Sequence, residues 1–298
     1  MISVLIPVYN WNIVQLVEDL FSQLTTASIP FEIICLEDGS DLEITTNNAR
    51  VAKLKNVKIF ENQKNNGVVK ARQFLSQSAK YDNLLFLDAD VQIPNSNFIE
   101  NYLKALDSGD DGYYGGILYS PKEPEPHRLL RWKYGRSREQ VSAEKRNQNP
   151  YKFVISGNFL FKKSVFLETY GSIKGKRYGF DTFFGALLKD RNIQIRHIDN
   201  GVYHLGLDSN EVYLKKKEKA ALALIQLYKE GKISSHDNQL LRLFEVLHRL
   251  NLHHLFAFYY RKFNLSIKKQ LIGPKPSVNI LQIYRISYIC YAYKHLTE

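Results

Sequence analysis

Short apolar runs, each closed by polar residues, alternate along the first third of the chain with stretches whose apolar positions fall at helical spacing. Ile2 to Val8, Phe31 to Leu36, Val57 to Phe60 and Asn83 to Leu87 read as strands, because strands buried on both faces of a sheet are near-continuous apolar runs. Behind Asn12, which can cap a helix, Val14, Leu16, Val17, Leu20, Phe21 and Leu24 fit one helical face. Asn65-Asn66-Gly67 turns the chain into a further helix, Val68 to Ala79, carrying Lys70 and Arg72. The repeated strand–helix order predicts an α/β fold, a mostly parallel sheet wrapped by helices.

Past Asp90 the alternation loosens. Asn97 to Leu106 is helical in pattern, Tyr113 to Tyr119 strand-like, and Phe153 to Phe161 alternates around Ser156-Gly157-Asn158. Phe166 to Tyr170 and Thr182 to Leu188 predict helices, and Ile193 to His204 a pair of short strands. Between these, Ser120 to Pro150 is rich in Pro, Arg, Lys and Glu and predicts a long loop, a kind of segment that is functional or disordered in compact domains. From Glu211 the pattern is helical with basic faces, through Lys215-Lys216-Lys217 and Leu240 to Leu250 to a tyrosine-rich stretch, Ile280 to Leu296. A boundary near Ser209 therefore divides an α/β domain, 1–208, from a helical extension, 209–298.

Composition adds a bias toward anions. The chain has 298 residues, 44% hydrophobic and 24% charged, with a net charge of +11. That balance suits nucleotide phosphates, an anionic membrane surface or nucleic acid. Cys35 and Cys290 are too few and too far apart for a disulfide framework or a zinc site. Met1 runs directly into an apolar strand, with no signal peptide expected. No apolar run approaches the roughly 18 residues of a membrane span. The expected address is the cytosol, with room for peripheral attachment at the inner face of the plasma membrane.

The candidate chemistry gathers at strand ends. Asp88-Ala89-Asp90 closes the fourth strand with two carboxylates one residue apart. They repel unless a cation sits between them, and a hard divalent ion that bridges to phosphate is the economical one; the plain alternative is a turn, where Asp is common. Pro7-Val8-Tyr9-Asn10, Glu37-Asp38-Gly39-Ser40 and Asn66-Gly67 with Arg72 end or follow neighbouring strands. Parallel order places them on the sheet edge where ligands of such folds bind. No G-x-G-x-x-G follows the first strand, so this is not a dinucleotide-binding signature.

The order and spacing of these motifs resemble glycosyltransferase family 2, inverting enzymes of the GT-A fold, over roughly residues 1–208. The resemblance implies a nucleotide-sugar donor, with UDP the usual nucleotide, and Mn²⁺ or Mg²⁺ as cofactor. It makes Asp38 the contact to the donor's base, with Glu37 where many relatives carry Asp, and adds Pro7, Tyr9, Gly67 and Arg72 to the donor-binding set. Arg72 could pair with phosphate or with an active-site carboxylate. Asp90 would bind the metal directly, Asp88 would contact the ribose or support the metal through water, and His204 would be a later metal ligand. Imidazole suits Mn²⁺ better than Mg²⁺.

Inversion needs a base for the acceptor hydroxyl. In Tyr178-Gly179-Phe180-Asp181 the resemblance points to Asp181, with Phe180 replacing a first acid usual in the family. Ser156-Gly157-Asn158 resembles the segment running past the donor sugar and acceptor. Each residue also has a plainer role: Asp38 as a turn anchor, Arg72 as a solvated helix residue, His204 as a strand-edge polar group, Asp181 as a helix cap. Arg128 to Lys133 is either a lid that excludes water from bound donor or a solvated basic loop.

The tail interleaves Phe256 to Tyr260, Arg261-Lys262 and Lys268-Lys269 with Tyr284, Tyr288, Tyr291 and Tyr293. That mixture suits an anionic membrane interface, and equally a helical layer whose tyrosines are core. The expected acceptor is a glycan or lipid-linked glycan of polysaccharide biosynthesis, and the expected transfer is of a hexosyl or N-acetylhexosaminyl group, with a homo-oligomer left open. Two other readings fare worse. A sugar nucleotidyltransferase would carry a Gly-rich basic loop where Val8-Tyr9-Asn10-Trp11 stands, and a nucleic-acid-binding protein would show one of the recognised motifs.

Overall fold

The apolar runs form strands and the stretches between them helices: β1 (Ile2–Val8), α1 (Val14–Thr26), β2 (Phe31–Asp38), α2 (Leu42–Asn48), β3 (Val57–Asn62), α3 (Val68–Ser78) and β4 (Asn83–Leu87). Next come β5 (Val91–Gln92), α4 (Phe98–Leu106), β6 (Gly112–Tyr114), β7 (Ile117–Leu118), α5 (Leu129–Tyr134) and α6 (Ala143–Asn147). β8 (Asn158–Lys162), α7 (Lys163–Tyr170), α8 (Phe180–Asp190), β9 (Ile195–His197) and β10 (Val202–His204) lead to α9 (Asn210–Lys229), α10 (Gln239–Arg249), α11 (His253–Ile272) and α12 (Val278–His295). This computed structural model describes residues 1–171, 173, 180–231, 233 and 238–295. Tyr178, Gly179, Leu296 and the side chain of Phe180 lie outside the described residues.

The chain divides into two compact units, each assembled from separate segments. The first, Met1–Leu118, Gln140–Lys176 and Arg191–Gly206, holds a seven-stranded sheet of order β3-β2-β1-β4-β8-β6-β9. β3, β2, β1 and β4 run parallel, β8 is antiparallel to both β4 and β6, and β6 is parallel to β9. A smaller sheet, β5-β10-β7, pairs His204 with Val91 in antiparallel register. β1, β2 and β4 are almost wholly buried, as their unbroken apolar runs require. Beneath β4 and β8 the rings of Phe86, Phe159, Phe166 and Tyr170 stack at centroid spacings of 4.5–4.8 Å along the chain Phe159–Phe86–Phe166–Tyr170. Each such pair adds about 0.5–1.5 kcal/mol beyond its buried area, which holds firm the strand that ends at Asp88.

The second unit, Tyr119–Glu139, Arg177–Asp190 and Leu207–Glu298, is helical. One of its cores packs Ile225, Leu241, Phe244, Ile289 and Cys290; another packs Leu130, Tyr213, Leu214, Leu271, Leu281 and Tyr284. Tyr288, Tyr291 and Tyr293 pack against these cores, so the tyrosine cluster is a packing layer. Among the described residues no helix is long and apolar enough to cross a membrane.

The long loop expected over Ser120 to Pro150 is instead short helices, including α5, α6 and a π-helical turn at Gly135–Glu139. Its few apolar residues suffice because Leu129, Leu130 and Trp132 are all buried. Buried Asn210 secures the start of α5: its side-chain oxygen accepts from the Leu130 N–H at 2.8 Å while its amide donates to the Pro126 carbonyl at 3.0 Å. Arg128 to Lys133 therefore runs into a packed helix, which removes the lid expectation.

Glu139 closes the same segment, accepting from Arg131 Nη1 at 2.8 Å and from the Tyr119 hydroxyl. Burial pushes its carboxyl up, but Arg131, Lys217 and the two hydrogen bonds outweigh that and hold it at about 2. A depressed carboxylate stabilises the fold above its unfolded pKa and loses that contribution as pH falls through its folded value. Glu139→Gln is thus expected to cost roughly 3 kcal/mol near neutral pH, with the deficit shrinking from about pH 4.5 toward pH 2. Urea unfolding across that range checks it; a deficit independent of pH would refute the charge argument.

Candidate active site

β4 delivers its two carboxylates by pairing. The Asp88 N–H donates to the Gly157 carbonyl at 3.1 Å, extending the β4–β8 ladder by one step, and the chain then turns through Asp90 into β5. β10 lies beside β5, and the Leu205 N–H donates to the Asp90 carbonyl at 2.8 Å. This register brings His204 Nε2 to 3.4 Å from Asp90 Oδ2. Gly206 completes the approach: a Cβ there would sit 1.9 Å from Asp90 Oδ2, so no side chain fits without moving the carboxylate.

Arg72 reaches Asp88 from α3. Only 3% exposed, it donates through Nη2 to Asp88 Oδ1 and to the Ser156 carbonyl, both at 2.7 Å, and its guanidinium lies 5.6 Å from the centre of the Phe159 ring. Burial pushes the Asp88 carboxyl up, Arg72 pulls it back, and the like charge of Asp90 pushes it up again, leaving it raised overall. Two carboxylates one residue apart thus feel each other even with an arginine in place, the strain a cation relieves. The Ser156-Gly157-Asn158 segment belongs to this group, because Ser156 holds Arg72 and a Cβ at Gly157 would lie 3.1 Å from Asp88 Oδ2. Asn158 is buried and anchors it, accepting from the Tyr102 hydroxyl at 2.6 Å and donating to the carbonyls of Gly116 and Asn200.

Asp38 sits buried at the end of β2, where its carboxylate accepts from Asn62 Nδ2 at 2.8 Å and from the backbone N–H groups of Asn66 and Gly67. Gly67, at φ 90°, starts α3, so Asp38 sets the turn that aims the helix bearing Arg72. The turn-anchor role is what these bonds display. Gly39, at φ 79°, has its Cβ direction blocked by the Asn65 backbone nitrogen at 2.4 Å, so glycine is required where the two loops touch.

Glu37 also has a structural reason. It accepts from Ser40 Oγ at 2.5 Å and Asn48 Nδ2 at 2.7 Å, while fully buried Asn48 holds the Ile13 N–H and the Trp11 carbonyl. This ties the segment after β1 to α2. Pro7 pairs with Leu36 inside the sheet, and Tyr9 stands 56% exposed just beyond it. Asn48 and Gly206 were not singled out by sequence reasoning; a buried Asn among polar helix residues and a glycine after a short strand carry no distinguishing signal. Asp181 belongs to the second unit, in the first turn of α8 and partly buried.

Among the described residues no group of three His, Cys, Asp or Glu is disposed to hold a metal. Asp90 and His204 instead make a pair, with Nε2 of His204 3.4 Å from Oδ2 of Asp90. Such a carboxylate–imidazole pair would suit a divalent ion such as Mn²⁺ that draws its remaining ligands from phosphate and water.

The family model described as "Glycosyl transferase family 2" matches residues 3–169. The chain belongs to that family. The match takes in Asp38, Arg72, Asp88, Asp90 and the Ser156–Asn158 segment of this glycosyltransferase, and stops before Asp181 and His204. A search of curated proteins by sequence finds no match. Among solved structures it resembles a mannosyltransferase from Pyrobaculum calidifontis in complex with GDP-Man and Mn²⁺, at TM-score 0.58 and 15% identity over 99% of this chain and 86% of that one. It also resembles glucosyl-3-phosphoglycerate synthase from Mycobacterium tuberculosis in complex with Mn²⁺, UDP and glucosyl-3-phosphoglycerate, at TM-score 0.51 and 16% identity over 76% and 79%. That synthase has also been solved with Mg²⁺ and UDP. At such identities the likeness establishes the fold, GT-A, which agrees with the sheet described above.

Proposed function

We propose that this glycosyltransferase is a metal-dependent inverting enzyme that moves a hexosyl or N-acetylhexosaminyl group from a UDP-sugar to a hydroxyl of a glycan or lipid-linked glycan in polysaccharide biosynthesis. The observation that carries the reading is the pair of carboxylates at the end of β4, with Arg72 Nη2 2.7 Å from Asp88 and His204 Nε2 3.4 Å from Asp90. Asp90 and His204 would hold Mn²⁺ or Mg²⁺. When bound, such an ion supplies Lewis acidity toward the departing nucleoside diphosphate. Arg72 fixes Asp88, while Asp90 faces His204. Asp88 is assigned the ribose or a water-mediated contact, and Asp38 orients the loop beside the nucleotide. Asp181 takes the proton from the acceptor hydroxyl as it attacks.

The structural relatives support a nucleoside diphosphate and a divalent ion and divide between UDP and GDP-Man, so the test is calorimetric titration of UDP, GDP and dTDP, each with Mn²⁺ and with EDTA. UDP binding that disappears with EDTA is the expected result. No binding of any nucleotide under either condition would sink the reading.

Peripheral attachment to an anionic membrane accompanies it. Leu243, Val246 and Leu250 of the α10 region and Leu255 and Phe258 of α11 are exposed, alongside exposed Arg249, Arg261 and Lys262. Apolar residues beside cations favour an anionic bilayer surface. The protein should float with phosphatidylglycerol liposomes at low salt; protein left at the bottom of the gradient removes the attachment and leaves the transferase intact.

A further inference from the structure

The second unit contains a cavity of about 380 Å³ that shares no residue with the site described above, lined in part by Trp132, Lys133, Arg136, Arg138, Val278 and Asn279. Its cationic residues cluster because α5 passes into the π-helical turn Gly135–Glu139, a tight element that occurs often at functional sites. Arg136 lies over the Trp132 ring at 5.0 Å and donates to the Pro121 carbonyl at 3.3 Å, and Lys133 Nζ reaches the Pro276 carbonyl at 3.4 Å. Carbonyls orient these groups without neutralising them. Glu139, the acid next in the chain, is turned to Arg131 and Tyr119. No carboxylate pairs with Lys133, Arg136 or Arg138 among the described residues. Val278 and Asn279 begin α12, an 18-residue helix whose N-terminal turn adds partial positive charge.

We propose that this cavity binds a phosphate-bearing ligand, with Arg136, Arg138 and Lys133 on the phosphate and Trp132 and Val278 against its carbon portion. Guanidinium forks match phosphate oxygens, and three uncompensated cations around one concavity suit a group that carries up to two negative charges. The volume falls within the range of small-molecule sites. The same chemistry could arrive as a soluble phosphate ester or as a lipid headgroup.

Trp132 supplies the reporter, since Trp11 is the other tryptophan in the chain. In full-length Trp11→Phe protein, emission is followed while α-glycerol phosphate is added, and separately phosphatidylcholine vesicles with and without phosphatidylglycerol. A saturable change with α-glycerol phosphate that weakens about tenfold in Arg138→Gln, and further in Arg136→Gln/Arg138→Gln, supports a soluble ligand. A change confined to phosphatidylglycerol vesicles, and equally weakened by the variants, supports a headgroup. Both arginines are exposed, so matched melting curves are expected; if the double variant fails to fold, Arg138→Gln decides alone. No saturable change, a change the variants leave intact, or equal saturation by acetate at the same ionic strength overturns the proposal.

Discussion

Asp90→Asn is expected to remove the EDTA-sensitive part of nucleotide binding and to lower kcat/KM about 10²–10³-fold, the scale of losing one charge-stabilising group. The substitution keeps the size of the side chain and removes its charge, so His204 is left as the sole donor of the pair described above. The fold should survive, because the bond between the β5 region and the segment after β10 runs from the Leu205 N–H to the Asp90 backbone carbonyl, which the variant retains. Gly206→Ala is a companion that leaves the charge in place and displaces it, since the added methyl would fall 1.9 Å from Asp90 Oδ2. It should weaken metal-dependent binding in the same direction. The measurements are calorimetric titration with Mn²⁺ and steady-state transfer. Undiminished Mn²⁺-dependent binding in Asp90→Asn would place the ion elsewhere.

Much of this arrangement is written locally. β1, β2 and β4 are unbroken apolar runs because parallel strands are covered on both faces, and strand ends in such sheets are where ligands collect. Asp38, Asp88 and Asp90 could therefore be placed from their position after such runs. What local pattern cannot carry is long-range pairing. Arg72 could be read toward phosphate or carboxylate; the packing of α3 against the sheet chooses Asp88 and the Ser156 carbonyl. His204 emerged through family resemblance alone, because only the β5–β10 register puts it beside Asp90.

The Ser120 to Pro150 stretch misled for the same reason. Its charged composition hides a short apolar face in α5, and the surface that buries Leu130 comes from Tyr213, Leu214 and Leu271, far along the chain. The division of the molecule shows this too, since the second unit takes Tyr119–Glu139 and Arg177–Asp190 from within the stretch expected to be one α/β domain. A composition change near Ser209 marks where the continuous helical tail begins; it cannot reveal segments that join that tail by packing.

Asp181→Asn should cut kcat by about 10²–10⁴-fold, the usual contribution of a positioned general base, while leaving nucleotide binding unchanged. Asparagine is the informative replacement because of where Asp181 lies. In the first turn of α8 a carboxylate is favoured by the helix N-terminus whether or not it does chemistry. Asparagine keeps the size of the side chain and gives up only its charge, an interaction of about 0.3–1 kcal/mol near a helix N-terminus, so Asp181→Asn should melt close to the wild type. A base and a helix-terminal group then separate cleanly: lost turnover with an unchanged melting curve and unchanged UDP affinity identifies the base. Asp181→Ala, which removes the charge and the side-chain oxygens together, should lose turnover to the same extent. Transfer by Asp181→Asn at the wild-type rate would reduce Asp181 to a structural residue and require another group to take the acceptor's proton.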